Sequence, residues 1–148
     1  MKWKLIVWLF FCCGSAGLAN AESSELEEAV WLATLGEYQR ALEIFEALLQ
    51  EEPDNPSLNY YAAVSHYFLD DLDEARSLLQ KAVDEEPRFP QAYYWYGRVL
   101  AENAEQAKAA ETTALGHKHF PKNEKLLKLA SRIQLQTDQQ TEAPSDPE

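Results

Sequence analysis

The spacing of apolar residues along the chain predicts helices and gives no sign of strands. In residues 36–49 these side chains recur at intervals of three and four, so they share one side of a helix: Tyr38, Ala41, Leu42, Phe45, Leu48 and Leu49. A second stripe of this kind runs from Leu72 to Val83. Pro53 and Pro87 follow the two stripes and end the helices, because proline lacks an N–H and crowds the preceding turn. No stretch alternates between apolar and polar residues as a half-buried strand would.

Small residues and prolines repeat with a period of 34 residues through three copies. Three columns keep this spacing: Pro53, Pro87 and Pro121; Ala41, Ala75 and Ala109; and Ala29, Ala63 and Gly97. Residues without bulk let helices approach to about 8–10 Å at a crossing, which explains the small columns. Breaks near residues 35–36, 70–71 and 103–104 divide each copy into two antiparallel helices.

These features resemble tetratricopeptide repeats, which are helix–turn–helix units that stack into a solenoid. The segment 36–41 (GEYQRA) resembles the family's turn and the start of its second helix, and 93–97 (YYWYG) matches the aromatic and small residues of its first helix. The resemblance implies an all-α, right-handed α-solenoid. Its parts would be three hairpins, at residues 22–55, 56–89 and 90–123, and a C-terminal capping helix at 124–136.

The third copy and the C-terminal end depart from the family's pattern. Ala104 replaces the turn glycine, and Gly116 lowers helix propensity in the second helix. Asn123 is expected to cap the last helix. By comparison with the repeats, the last helix should pack on the preceding copy through Leu127, Ala130 and Ser131. Residues 137–148 are polar and contain proline, so we expect a disordered tail.

Residues 1–21 have the three regions of a secretory signal peptide. A positive start (residues 1–4) precedes an apolar run (residues 5–13), and small residues end the segment at 19–21. The apolar run is too short to span a membrane, which takes about 20 apolar residues. We therefore expect cleavage after Ala21 and export, most simply to a bacterial periplasm. A retained anchor and a eukaryotic secretory route are the alternatives.

Charge and composition beyond residue 21 exclude several function classes. Loss of Lys2 and Lys4 lowers Lys+Arg from 13 to 11 while all 25 acids stay, giving a formal net charge of −14. Binding to nucleic acid or to an anionic membrane needs basic surface, so neither is expected after signal cleavage. Both cysteines lie within the signal segment, which leaves no disulfide or thiol chemistry.

The sequence also indicates no enzyme, cofactor or metal site. His117 and His119 would point about 200° apart on a helix and could not share one metal ion. His66 falls on a packing position, and no pair of carboxylates is marked for acid–base work.

Two features mark a candidate partner-binding surface. Aromatic residues cluster in the first helices of copies two and three, and residues 118–132 hold five bases against one acid, whereas residues 22–89 hold four bases against seventeen acids. The resemblance implies that first helices line a concave groove. Residues at groove positions are Tyr60, Tyr61, Val64, Tyr67, Tyr94, Trp95, Arg98, Lys125, Lys128 and Arg132. Packing between helices and a solvated basic face are the competing interpretations of the rings and the cations.

The carboxylate clamp of chaperone-binding relatives does not carry over. Its five positions hold Leu26, Val30, Tyr61, Gln91 and Trp95 here. Taken together, these features predict an exported, non-catalytic adaptor in bacterial envelope assembly that binds a protein or extended peptide in a concave aromatic groove, with an oligomeric state that the sequence leaves open. The alternatives are a chaperone that shields apolar segments of secretion substrates and, from a different class, a hydrolase or metal-dependent enzyme.

Overall fold

The computed structural model describes the backbone of residues 24–142 and the side chains of residues 24–139. The predicted signal peptide and residues 143–148 lie outside the described part. The described chain forms seven helices and no strand: α1 (residues 24–34), α2 (Tyr38–Glu51), α3 (Pro56–Phe68), α4 (Leu72–Glu85), α5 (Pro90–Glu102), α6 (Gln106–His119) and α7 (Glu124–Glu142). None of the helices searched is long and apolar enough to cross a membrane.

Successive helices pack against each other from α2 to α7, and α5 also contacts α7. The column Ala41, Ala75 and Ala109 is fully buried, as its role at helix crossings requires. One apolar core runs through the described helices, from Ala29 to Ile133. The all-α repeat fold predicted from the sequence is confirmed.

The three turns inside the hairpins share one backbone geometry. Gly36, Asp70 and Ala104 have φ angles of 83°, 66° and 60°, in the left-handed region. In each turn the next residue's N–H donates to a carbonyl five residues earlier, at 3.0, 3.0 and 2.9 Å. This is the bond of the Schellman motif, which satisfies a helix-terminal carbonyl. The third turn keeps the geometry even though alanine replaces the usual glycine.

Polar side chains begin several of the helices. Asn55 accepts hydrogen bonds from the N–H groups of Ser57 and Leu58 at 3.0 and 3.2 Å, and Pro56 occupies the first position of α3. Asn123 accepts from the N–H of Leu126 at 3.1 Å, so the predicted cap of the last helix is confirmed.

The packing face predicted for α7 is wrong. Leu126, Leu129 and Ile133 are buried, whereas Leu127 is 44% exposed, Ser131 is exposed and Ala130 is only partly buried. The predicted positions are those that a first helix turns toward the second helix of its own copy. No such helix follows α7 in the described chain, so α7 packs through the side that faces the preceding hairpin. It also runs to Glu142, beyond the predicted end at residue 136.

Gly116 lets α5, α6 and α7 approach each other closely. A Cβ placed on Gly116 would lie 2.8 Å from both the Tyr93 Cβ and the Leu126 Cδ2 atoms. The residue is buried. The low helix propensity expected of this glycine therefore accompanies a packing requirement.

Candidate partner-binding site

The period of 34 residues gives α3 and α5 equivalent aromatic positions along the predicted groove. Seven of the ten predicted site residues are partly buried and three are exposed. The partly buried ones are Tyr60, Tyr61, Val64, Tyr67, Tyr94, Trp95 and Arg98. The exposed ones are the cations of α7, namely Lys125, Lys128 and Arg132. Tyr93 and Tyr96, which belong to the same aromatic segment of α5, are only 2% and 3% exposed, so these two rings pack between helices.

A row of rings connects α2, α3 and α5. The Phe68 ring stacks on Tyr38 with centroids 4.5 Å apart, and its centroid lies 5.7 Å from that of Trp95. Trp95 in turn meets Tyr67 at 5.1 Å and Tyr94 at 6.0 Å, edge to face. Such geometry adds stabilisation to area burial. We call these five residues the aromatic row.

Tyr60 and Tyr61 belong to a second, more internal cluster. Tyr61 stacks on the buried Phe45 with centroids 5.8 Å apart, and Tyr60 contacts Tyr61 at 5.0 Å and Phe89 at 4.9 Å. Burial raises the pKa of Tyr60 above its ordinary value. These contacts tie both rings to the core, so they contribute to packing as well as to the predicted groove.

Side chains of α3 and α5 hold Arg98 in place. Its guanidinium lies 4.8 Å from the Trp95 ring centroid and 5.0 Å from that of Tyr67. Arg98 Nη2 donates to the Tyr67 hydroxyl at 2.5 Å and pairs with Glu102 Oε1 at 3.4 Å, while that hydroxyl donates to Glu102 at 2.8 Å. The Glu102 carboxylate therefore balances the charge of Arg98 locally.

The pKa directions agree with this network. Burial raises the pKa of Tyr67, and the hydrogen bond to Glu102 raises it further. For Arg98, burial lowers the pKa, but Tyr67 and Glu102 outweigh it and the net direction is upward. Arg98 thus stays charged and anchored.

Two adjoining clefts lie between the exposed sides of α5 and α7, next to the region where the two helices pack. The larger, of about 480 Å³, is lined by Tyr94, Arg98, Ala101, Glu102, Gln106, Leu129, Arg132, Ile133 and Gln136. The smaller, of about 330 Å³, is lined by Tyr94, Lys125, Lys128, Leu129 and Arg132. Tyr94, Leu129 and Arg132 border both clefts, which we treat as one feature, the α5–α7 cleft. The structure thus brings five predicted site residues together: Tyr94, Arg98, Lys125, Lys128 and Arg132.

The cations of α7 are less closely paired with carboxylates than Arg98 is. Lys128 pairs with Glu124 at 3.7 Å, but both side chains are at least 80% exposed, so water screens the pair. Among the described residues, neither Lys125 nor Arg132 forms an ion pair within 4.0 Å. The open cationic charge of the α5–α7 cleft therefore lies on α7.

The sequence pattern did not identify several residues of the aromatic row and of the α5–α7 cleft. Glu102 lies four positions after Arg98, a spacing that predicts a helical ion pair. Phe68, 48% exposed, lies beside a predicted groove position. Leu129 was missed because the face of α7 was assigned incorrectly. Only the packing of α5 against α7 reveals Gln106 and Gln136 as lining residues.

Histidines and acids form no metal-binding group of three in the part of the chain that was searched. His66 Nδ1 lies 3.1 Å from Asp71 Oδ2, and the His66 side chain is largely buried. This local pair joins the end of α3 to the start of α4.

Comparison with known proteins identifies the repeat unit. The family model described as tetratricopeptide repeat matches residues 32–94 and 69–133. Beta-soluble NSF attachment protein from Bos taurus is 34% identical over 83 residues, which cover 51% of this chain and 28% of that protein. The chain thus aligns with less than a third of that relative's length.

Solved structures share the fold at low sequence identity. The first tetratricopeptide domain of Spaghetti (RPAP3), bound to the HSP90 peptide SRMEEVD, has a TM-score of 0.74 and 18% identity, covering 79% of this chain and 93% of that one. The type III secretion translocator chaperone SycD of Yersinia enterocolitica has a TM-score of 0.70 and 14% identity, covering 82% and 83%. At these identities the likeness concerns the fold alone.

Proposed function

Because the chain belongs to the tetratricopeptide repeat family, we propose that it is an exported, non-catalytic adaptor that binds an extended segment of a protein partner across α3, α5 and α7. The observation that carries this proposal is the α5–α7 cleft. It places three exposed cations beside the aromatic row in a chain whose overall charge is strongly negative.

The site favours a ligand with an apolar part and an acidic part. The rings of Phe68, Trp95 and Tyr94 offer a large contact area with few rotatable bonds, which suits apolar side chains. Lys125, Lys128 and Arg132 attract a carboxylate at the other end of the site, while the acidic repeats repel it elsewhere. The ligand would therefore bind in one direction.

Arg98 has a different role in this proposal from that of the α7 cations. Its charge is balanced by Glu102, and its guanidinium covers the rings of Tyr67 and Trp95. We assign it the role of fixing the aromatic row between α3 and α5, and the α7 cations the role of meeting the acidic group.

Known relatives support a peptide ligand. The structure of the Spaghetti (RPAP3) domain contains a bound HSP90 peptide, and that of the TPR2B domain of yeast Sti1 is a complex with pHsp70. The three exposed cations of the α5–α7 cleft lie on α7 and not at the clamp positions, so the partner itself is left open.

The chaperone alternative has one observation in its favour. Phe68 exposes 48% of its surface next to other rings, as a surface that shields apolar segments would. A chaperone should bind unrelated apolar segments with little dependence on salt, whereas the adaptor should prefer one partner and weaken as salt rises.

The export part of the proposal has its own test. N-terminal sequencing of the protein recovered from cells should find Glu22 as the first residue, in the periplasmic fraction. Recovery of the chain with Met1 intact from the cytoplasm would contradict export.

Partner capture from an envelope extract, followed by titration calorimetry with the identified segment, tests the binding site. The double variant Lys128→Gln/Arg132→Gln should weaken binding by about 1 kcal/mol, roughly fivefold, because two exposed charges are lost. It should also reduce the salt dependence. The matched control Lys118→Gln/Lys122→Gln removes two exposed lysines that line neither cleft. Equal losses in both variants would show a general charge effect and contradict the site.

A further inference from the structure

The two ends of the described array expose positions that its interior copies bury. In the first helix of a copy, two columns face the preceding hairpin: Leu58, Ala92 and Leu126, and Ser65, Val99 and Ile133. All six residues are at most 4% exposed. The contact between Leu126 and the position of Gly116 on α6 shows this direction of packing.

The first copy carries Ser24 and Trp31 in those two columns. Ser24 is exposed and Trp31 is 64% exposed, the highest value among the large apolar side chains of the described part. The end of a solenoid that remains in water needs a polar outer face. A tryptophan in this column is therefore unexpected unless another surface covers it.

The opposite end shows the complementary pattern. Leu127 and Ser131 of α7 occupy columns that the second helix of the same copy covers elsewhere. Asn59 and Tyr93 precede Leu127 in its column at 0% and 2% exposure, and Leu127 itself is 44% exposed. Along the described chain, one end lacks a preceding hairpin and the other lacks a following helix.

The charges of the two ends determine which ends can associate. The described helix α1 carries Glu25, Glu27 and Glu28 and no base, whereas residues 118–139 hold five bases against two acids. Two α1 ends would bring like negative charges together, and two α7 ends like positive charges. Only the pairing of an α1 end with an α7 end brings opposite charges into contact.

We propose that copies of this chain associate head to tail, with Trp31 of one copy packing on Leu127 of the next, where a helix following α7 would lie. This contact joins two different surfaces, so it leaves one free end of each kind and extends into open chains unless the rotation closes a ring. Lys125, Lys128 and Arg132 supply most of the positive charge of the α7 end and also line the α5–α7 cleft, but Trp31 and Leu127 line neither of its parts.

Sedimentation velocity over a wide range of protein concentrations tests the contact. The average mass of the wild-type protein should rise with concentration, and less so at high salt. Trp31→Glu blocks one end and Leu127→Glu blocks the other, so each variant alone should stay monomeric. Leu115→Glu is the matched control, since Leu115 is 43% exposed on α6 and lies at neither end. It should associate like the wild type.

Mixing the two blocked variants gives the decisive measurement. The Trp31→Glu chain keeps its α7 end and the Leu127→Glu chain keeps its α1 end, so an equimolar mixture should form species of twice the monomer mass and nothing larger. A mixture that stays monomeric, a wild type that stays monomeric, or a Leu127→Glu variant that still associates would overturn the proposal.

Circular dichroism verifies that each variant is folded. The neutral pair Trp31→Ser and Leu127→Ser repeats the mixing experiment without added charge. Trp31→Glu should retain the binding of a groove ligand, because Trp31 lines neither cleft. The failure of head-to-tail association is thus separable from a failure of the binding site.

Discussion

Replacing Ala104 with glycine should stabilise the protein, although the same substitution within a helix destabilises it. Ala104 has a φ of 60° at the third hairpin turn, where the first turn has Gly36 and the second has Asp70. A Cβ in the left-handed region costs about 1–2 kcal/mol, because it crowds the following carbonyl oxygen. Ala104 is exposed and its side chain has no polar group to offset this cost.

The expected gain is smaller than the strain that is removed. Glycine increases the conformational entropy of the unfolded chain, which favours alanine by about 0.4–1 kcal/mol. The difference leaves a net stabilisation of roughly 0.5–1 kcal/mol for Ala104→Gly. In a domain of this size that corresponds to a rise in Tm of roughly 2–4 °C. Asp70→Gly should gain less, because aspartate tolerates left-handed φ better than alanine does.

Urea unfolding followed by circular dichroism measures the effect, with Ala114→Gly as the control. Ala114 is exposed in the middle of α6, so its replacement by glycine should cost about 1 kcal/mol. The two substitutions are chemically identical and should have opposite signs. A loss of stability in Ala104→Gly comparable to that in Ala114→Gly would refute the assignment of a strained left-handed turn.

Three further predictions concern packing and titration. Ala75→Leu should cost about 1–3 kcal/mol in thermal unfolding, because Ala75 is fully buried at a helix crossing, and an unchanged Tm would contradict the repeat register. Gly116→Ala should destabilise the protein in urea unfolding despite the higher helix propensity of alanine, because the new Cβ would press on Tyr93; a stabilised variant would refute this. Burial and the hydrogen bond to Glu102 raise the pKa of Tyr67 above 10.0 in the folded state. The neutral Tyr67 hydroxyl should therefore contribute fully to stability below pH 10, and this contribution should disappear as the pH rises through the folded-state pKa. Alkaline ultraviolet titration of Tyr67→Phe should therefore lack a late-ionising phenol that the wild type shows.

The sequence by itself determined the helices and the spacing that relates them. Small residues are needed where helices cross, and the regular spacing of Ala41, Ala75 and Ala109 identifies this column from the sequence alone. All three residues are buried. The prediction that Lys125, Lys128 and Arg132 share one stripe also follows from periodicity, and the structure places all three around one cleft.

The tertiary structure decided which side of each helix has a neighbour. The periodicity of α7 allows either Leu127 or Leu126 to face the core, and the choice depends on the packing of the preceding hairpin, because no described helix follows α7. In the same way, Gly116 weakens a helix when considered alone and permits a close crossing once α5 and α7 lie beside it.

The charge of Arg98 shows the same division between sequence and structure. Its position in the repeat frame predicts a cation on the groove side, and its spacing to Glu102 allows an ion pair within α5. The Tyr67 hydroxyl that completes the network comes from α3, 31 residues away in sequence. Local spacing places a side chain on a face of its own helix, but whether its charge stays open to a ligand depends on the groups that neighbouring helices bring to it.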